Sequence, residues 1–305
     1  MKLAPIALFV YNRLQHTQET VNALRRNNLA NESDLIIYSD GWKNEKDMPE
    51  VKGVREYSKN ISGFKSVVVV ERDRNNGLAD SIIFGVTETI NKYGKIIVLE
   101  DDIITSCYFL EYMNRGLDLY ENEDSVISVH GYIYPTEAKL PETFFIKGAD
   151  CWGWATWKRG WDIFEPDGKK LLDELKDRHL LKEFNFLDSF PYSKMLRAQI
   201  AGKNSSWAIR WYASAFLKNK LTLYPRESLI YNTGLDGSGT HSGSNDIFNK
   251  TNRVENIKIE VSRIEIKENL LAKKIMINYF KTIRESLPEK IIRKMKEILL
   301  PTKKY

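Results

Sequence analysis

The chain has 305 residues, 42% of them hydrophobic and 11% aromatic, which is typical of a globular protein with one large or two modest domains. Its two cysteines, Cys107 and Cys151, do not form a CxxC pair, so neither a disulfide framework nor a structural zinc site is indicated. Residues 267–305 hold eleven Lys or Arg against four Glu, a formal charge of +7, so the other residues carry −2 of the total +5. The basic character belongs to the C-terminal segment, and a nucleic-acid-binding protein is not indicated.

Short apolar runs alternate with helix-period segments through residues 1–130. The runs that predict buried strands are 6–11, 35–39, 66–70, 96–99 and 126–129, and the predicted helices are 17–28, about 50–60, 78–92 and 106–120. This alternation predicts a doubly wound, mainly parallel α/β sheet. In such sheets ligands bind beyond the carboxyl ends of the strands.

Polar and charged residues follow the first four predicted strands. They are Asn12 and Arg13, then Asp40, then Asn76 and Gly77, and finally Glu100, Asp101 and Asp102. Each could be an ordinary solvent-exposed strand end, but four in succession predict a binding site. The three adjacent carboxylates repel one another, so we expect a positive group beside them. The chain has no GxGxxG or GxxxxGK[ST] motif, which argues against a nicotinamide-binding fold and a P-loop kinase.

The pattern changes from about residue 144. The stretch "GADCWGWATWKRGWDIF" places four tryptophans within ten positions. Predicted helices follow at 169–187, 192–202 and 206–219, then a strand-like "LTLYP" and a Gly/Ser-rich loop at 232–246. The alternating segment "IKIEVSRIEIK" (257–267) predicts a half-buried strand that ends the globular part.

The order of these motifs resembles a known enzyme family. "FVYNR", "YSDG", "NNGLADSIIFGV" and "IIVLEDDI" resemble a GT-A glycosyltransferase, and "VLEDD" before "CYFLEYM" is most similar to the acidic motif of the N-acetylglucosaminyltransferase I group. "CWGWATWKRGW" and "GSGTH" resemble bacterial family 2-type sugar transferases, and the similarity covers about residues 4–243. It implies a nucleotide-sugar-binding half (1–130) and an acceptor-binding and catalytic half of the same domain (131–266). The charge and helical pattern of residues 267–305 predict a basic amphipathic helical tail.

The resemblance also implies roles for the strand-end residues. Asp102 would hold a divalent metal, Mn²⁺ or Mg²⁺, which suits its carboxylate oxygens. His241, which could also be an exposed loop residue, would complete the metal or diphosphate shell. The remaining donor-binding residues are Asn12, Arg13, Asp40, Asn76, Gly77, Glu100 and Asp101, with Asp40 at the base and Arg13 near the base or phosphates.

The acceptor side departs from the family. The N-acetylglucosaminyltransferase I group carries its catalytic aspartate just after a tryptophan, but Ala208 follows Trp207 here and cannot take a proton. Asp150 is our first candidate base and Asp236 the second, because both lie in loops expected to face the donor. Trp152 and Trp154 are the candidate acceptor-binding residues, although at least two of the four clustered tryptophans should serve packing alone.

The resemblance therefore implies a metal-dependent, inverting glycosyltransferase in surface polysaccharide synthesis. It would move a sugar from a nucleotide-sugar donor, with UDP favoured, to a hydroxyl of a glycan or lipid-linked saccharide. The alternative is a non-catalytic carbohydrate- or nucleotide-sugar-binding protein on the same fold. We expect a cytoplasmic protein, peripheral on the membrane if the amphipathic helix predicted at 286–300 rests on anionic lipid rather than on its own domain or a dimer partner.

Overall fold

The computed structural model describes residues 2–236, 248, 254 and 256–283. Within these residues the strands are β1 (Ile6–Val10), β2 (Asp34–Ser39), β3 (Ser66–Glu71), β4 (Lys95–Glu100), β5 (Ile103–Thr105), β6 (Val126–His130), β7 (Thr143–Lys147), β8 (Trp154–Trp157), β9 (Leu221–Pro225) and β10 (Ile230–Asn232). The helices are α1 (Leu14–Arg25), α2 (Met48–Lys59), α3 (Leu78–Tyr93), α4 (Phe109–Leu119), α5 (Lys158–Trp161), α6 (Gly168–Asp177), α7 (Leu181–Phe184), α8 (Tyr192–Ile200), α9 (Trp207–Leu217) and α10 (Leu270–Ile283). Two 3-10 turns span Ala30–Glu32 and Thr233–Asp236.

One large sheet organises the described part of the chain. Its strand order is β3-β2-β1-β4-β8-β6-β9-β7, and β5 pairs with β10 in a separate antiparallel ribbon. β3, β2, β1 and β4 are mutually parallel, β8 runs antiparallel between β4 and β6, and β9 is parallel to β6. Six of the eight strands therefore run in one direction, which confirms the mainly parallel α/β sheet.

The central strands are buried on both faces because helices cover each side. All five residues of β1 and of β6 are buried, as expected for continuous apolar runs. One core cluster lies on the side of α1, α2 and α4, a second on the side of α3 and α9, and a third among α6 to α10. The clusters meet along β6, β8 and β9, so the two halves expected from the sequence share one continuous sheet.

Two segments differ from the sequence predictions. The helix expected over 169–187 is interrupted after α6, where His179 adopts a left-handed conformation with φ of 54° and Leu180 N–H returns to the carbonyl of Leu175. The strand expected over 257–267 was wrong. The segment is extended with alternating burial, but it packs against α4, where the Tyr120 hydroxyl accepts a bond from Ile264 N–H, rather than pairing in a ladder.

Helix α10 belongs to the globular core. Ala272, Met276, Ile277 and Phe280 are buried in the third core cluster. Residues 284–305 lie outside the described part of the chain, so the amphipathic helix expected at 286–300 stays a prediction. Among the described residues, none of the helices has both the length and the apolar character that a membrane crossing requires.

Replacing Phe280 with alanine tests whether α10 is part of the cooperative fold. The ring is fully buried, with its centroid 4.7 Å from that of Tyr134 and 4.8 Å from that of Phe190. We expect Phe280→Ala to lower the free energy of unfolding by about 3 to 5 kcal/mol because it leaves a cavity. Urea unfolding followed by tryptophan fluorescence measures this, with exposed Lys274→Ala as the control. Equal stability of the two variants would show that α10 is not cooperatively folded with the sheet.

Candidate functional site

A cavity of about 950 Å³ opens beyond the carboxyl ends of β1, β2 and β4. We call its two sides the sheet half and the aromatic half. The sheet half comprises residues 9–13, Tyr38, Asp40, Lys43, Asn75, Gly77–Ala79, Ser81 and Glu100–Asp102. The aromatic half comprises Tyr132, Tyr134, Trp152, Phe190, Tyr192, Met195, Tyr212 and Phe248, together with Asp150 and Cys151. Residues 204–209, at the start of α9, and Asn232, Gly234 and Leu235 also line the cavity.

The positive group expected beside the acidic triplet is Arg13. Its Nη2 donates to Asp101 Oδ1 and, over 2.8 Å, to Asp102 Oδ2. Its Nε lies 3.4 Å from Asp101 Oδ2. The buried Nη1 has no hydrogen-bond partner among the described residues. Because β1 and β4 are adjacent, with Phe9 opposite Glu100, the residues that follow both strands meet at one end of the sheet.

Burial changes the protonation of the acidic triplet. Burial, together with the neighbouring charges of Asp102 and Asp101, raises the pKa of Glu100 to about 8. Burial also raises the pKa of Asp101 to about 6, although the guanidinium of Arg13 opposes this shift. Glu100 is therefore mostly protonated at neutral pH and can donate a hydrogen bond into the cavity, which an ionised carboxylate cannot do.

Asp40 holds the loop that starts α3. Its Oδ1 accepts hydrogen bonds from the N–H groups of Gly41 and Asn76, both at 3.0 Å. Its Oδ2 accepts from Gly77 N–H at 2.9 Å and from Asn75 Nδ2 at 3.1 Å. Gly77 has a φ of 78°, a left-handed value that glycine adopts without strain. Both oxygens of Asp40 therefore bond to this loop. Asn75 lines the cavity, whereas the predicted Asn76 does not appear among its lining residues.

The metal expected at Asp102 lacks a complete set of protein ligands. His241 lies outside the described residues, and no group of three His, Cys, Asp or Glu among the described residues could hold a metal ion. Arg13 already bonds Asp102, and Gly234 packs so closely that a Cβ there would collide with Asp102 Oδ2. These residues therefore do not fit a metal held by the protein alone.

Asp150 is the carboxylate of the aromatic half. It precedes Cys151, whose N–H donates to Asp150 Oδ1 over 2.9 Å, and it lines the cavity. The second candidate base, Asp236, ends the 3-10 turn after β10, and only its backbone is described. Ala208, which stands where the sequence resemblance leads us to expect a base, also lines the cavity from the first turn of α9.

Only one of the two predicted acceptor-binding tryptophans reaches the cavity. Trp152 lines it. Trp154 is fully buried in β8, with its ring 5.5 Å from that of Trp207 and 5.7 Å from that of Trp211. This position leaves Trp154 no surface for a sugar. Its neighbours in the core include Trp161, so packing accounts for much of the tryptophan block.

Several residues of the aromatic half were missed by sequence reasoning. They are the three tyrosines Tyr132, Tyr134 and Tyr192 and the two phenylalanines Phe190 and Phe248. The segments "GYIYP" and "FPY" carried a visible aromatic signal, but it did not distinguish a cavity wall from a core. Buried His130 was also missed. Its Nε2 accepts a bond from Trp152 N–H over 3.2 Å, and burial lowers its pKa, which favours the neutral ring that this bond requires.

Comparisons with known proteins give limited similarity. No protein-family model matches the chain, and no curated protein matches its sequence. Among solved structures, it is similar to the mannosyltransferase PcManGT from Pyrobaculum calidifontis in complex with GDP-Man and Mn²⁺, with a TM-score of 0.33, 10% identity, and coverage of 44% of this chain and 36% of that one. It is also similar to residues 1–349 of S. aureus TarS, with a TM-score of 0.41, 10% identity, and coverage of 76% and 62%. The chain thus spans less than two thirds of either structure, and TM-scores this low do not establish a shared activity.

Replacing Asp40 with asparagine tests the loop anchor. An amide nitrogen cannot accept the bonds that the carboxylate receives, so the backbone N–H of either Gly41 or Gly77 loses its partner. We expect the free energy of unfolding to fall by about 2 kcal/mol and amide exchange at residues 75–78 to accelerate. Asp34→Asn, at the half-buried start of β2, is the control. Unchanged amide exchange at residues 75–78 in Asp40→Asn would show that Asp40 does not anchor this loop.

Proposed function

We propose that the chain is a glycosyltransferase that moves a sugar from a nucleotide-sugar donor to a hydroxyl of a glycan or lipid-linked saccharide. The observation that carries this proposal is the division of one cavity into two chemically different halves. A cation and protonatable carboxylates line the sheet half, whereas Asp150 and a wall of aromatic rings line the opposite half. A phosphate-bearing donor and a hydroxyl-bearing acceptor need these different surroundings.

The sheet half suits the nucleotide diphosphate of the donor. Arg13 Nη1 is a buried donor that a phosphate oxygen would satisfy. α3 starts at the cavity wall with Leu78 and Ala79, so the positive end of its dipole faces the same space. Asp40 contributes through the loop it holds. We further propose that Asn12, Asn76, Gly77, Glu100 and Asp101 contact or shape the donor site, with Glu100 donating to a sugar or ribose oxygen.

Asp150 is the proposed general base. Its Oδ1 is oriented by Cys151 N–H over 2.9 Å. In a single displacement, the acceptor oxygen would bond to the anomeric carbon while the bond from that carbon to the phosphate oxygen breaks. The acceptor proton would pass to Asp150, and the nucleoside diphosphate would leave. This one-step route inverts the anomeric configuration. Asp236 remains the second candidate base.

Metal dependence is a separate proposal. Asp102 is the proposed protein ligand of Mn²⁺ or Mg²⁺, with His241 as a second, and the described residues do not complete such a site. A hard divalent cation would supply charge neutralisation for the leaving diphosphate. The preference for UDP, the role in surface polysaccharide synthesis, the cytoplasmic location and the membrane contact of 286–300 stay predictions.

A second function is favoured by one observation. Ala208 occupies the position at which related enzymes carry their base, and it lines the cavity. A protein that binds carbohydrate or nucleotide sugar without catalysis would need no base there. It would still need the aromatic wall and the cation, so binding alone does not separate the two functions.

Donor hydrolysis distinguishes the enzyme from the binding protein. We expect slow release of UDP from UDP-sugars without added acceptor, because water can replace the acceptor hydroxyl at an active transfer site. Nucleotide release would be measured across a panel of nucleotide sugars, with Mn²⁺, with Mg²⁺ and with EDTA. Thermal stabilisation by a nucleotide sugar without any hydrolysis or transfer would favour the binding protein. Equal rates with metal and with EDTA would contradict the proposed metal dependence but not the proposed transfer activity.

Asp150→Asn tests the proposed base. We expect kcat to fall by roughly 10²-fold or more with donor affinity nearly unchanged, because the amide cannot accept the proton. Asp162→Asn is the control, since Asp162 is exposed and paired with Lys158 away from the cavity. If Asp150→Asn transfers sugar at the parent rate and Asp236→Asn loses activity, then Asp236 rather than Asp150 is the base.

A further inference from the structure

The aromatic half of the cavity presents ring faces in several orientations. Tyr132 packs against Trp152 at a centroid distance of 4.8 Å and an interplanar angle of 68°. Trp152 stands at 89° to Phe248, 6.0 Å away. Tyr134, Trp152, Phe190 and Phe248 are each only partly buried, so their rings retain surface towards the cavity. Rings held edge to face form a rigid, angled apolar wall.

The polar groups of this wall include tyrosine hydroxyls and the carboxylate of Asp150. The hydroxyls of Tyr134 and Tyr192 lie 3.3 Å apart, while the Tyr132 hydroxyl donates to the Phe248 carbonyl over 2.6 Å. This last bond ties Phe248 to the wall. A ligand therefore meets apolar ring faces together with groups that can accept or donate single hydrogen bonds, which matches the C–H faces and hydroxyls of a sugar ring.

The charge of Asp150 acts on the tyrosines of this half and its surroundings. Burial raises the pKa values of Tyr134, Tyr192 and Tyr224, and the charge of Asp150 is the next largest cause for all three. No ion pair joins Asp150 to a cation within the described residues. Of the described residues that line the cavity, the basic ones are Arg13 and Lys43, both in the sheet half. Arg13 is itself bonded to Asp101 and Asp102.

We infer that the aromatic half seats an uncharged saccharide ring and disfavours a ring that carries a phosphate or carboxylate. This inference rests on the proposed function, because it assigns the acceptor class of that same site. A neutral ring buries its apolar face on Trp152 and its neighbours, and one of its hydroxyls can donate to Asp150. An anionic substituent would meet the charge of Asp150, with no cation beside it among the described residues that line this half, and would lose its hydration on entering the aromatic wall.

Matched neutral and anionic glycosides test this selectivity. The probes are methyl β-glucoside with methyl β-glucuronide, methyl β-galactoside with methyl β-galacturonide, and N-acetylglucosamine with its 6-phosphate. Binding to the full chain would be measured by saturation-transfer NMR and by tryptophan fluorescence. We expect the neutral member of at least one pair to bind about tenfold or more tightly than its anionic partner, because like charges at this range repel in a low dielectric.

Variants separate charge from shape. Asp150→Asn should reduce the preference for the neutral glycoside at least threefold, since the amide carries no charge. Asp162→Asn, the exposed control, should leave the preference unchanged. Trp152→Ala should weaken the neutral glycoside about tenfold with little change in the neutral-to-anionic ratio, because the ring provides contact area rather than charge.

The inference fails if anionic glycosides bind as tightly as neutral ones, if Asp150→Asn keeps the full preference, or if none of the neutral glycosides binds. Nucleotide-sugar binding would be measured in parallel by thermal shift. A nucleotide sugar that binds and is hydrolysed while the glycoside preference is absent overturns the acceptor assignment alone. Loss of nucleotide-sugar binding and hydrolysis overturns the proposed function, whatever the glycosides do.

Discussion

The contact of Arg13 with Asp101 and Asp102 is the constraint on which the site depends. Three adjacent carboxylates at the end of a buried strand would be unstable without a counter-charge, because desolvation and mutual repulsion act in the same direction. Arg13 supplies that charge from the neighbouring strand. The same guanidinium keeps one buried N–H without a partner among the described residues, so it can hold the acidic motif and still engage a ligand.

This arrangement changes the meaning of the acidic motif. Its formal charge of −3 suggests a site built for cations. In the folded protein, burial raises the pKa of Glu100, which favours its protonated form, and Arg13 offsets part of the charge of Asp101 and Asp102. The sheet half is therefore far less negative than its composition indicates, which is compatible with an anionic diphosphate. On the opposite side of the cavity, Asp150 forms no ion pair within the part of the chain that the structure describes.

Different interactions hold the two halves of the cavity in place. In the sheet half, the carboxylate of Asp40 orients backbone amides at the start of α3. In the aromatic half, buried His130 orients the backbone of Trp152, and Phe280 of α10 packs behind Tyr134 and Phe190. Hydrogen bonds to a buried charge restrain the first half, whereas packing of rings shapes the second.

The sequence by itself determined the sheet and its ligand-binding edge. Continuous β-branched runs that alternate with helical segments predict a buried parallel sheet. Parallel strands bring the residues that follow them to one edge of the sheet, as they do for Arg13, Asp40 and Asp102. Only the tertiary structure decided the partners of those residues. Asp40 bonds to a loop 35 residues away, and Arg13 pairs with two carboxylates about 90 residues distant. Trp154 is buried, whereas Trp152 lines the cavity. Each of these outcomes depends on contacts between segments that are remote in the sequence. Composition and periodicity indicate which residues of a segment will be buried. They do not indicate which group from another segment will contact a buried polar or aromatic side chain.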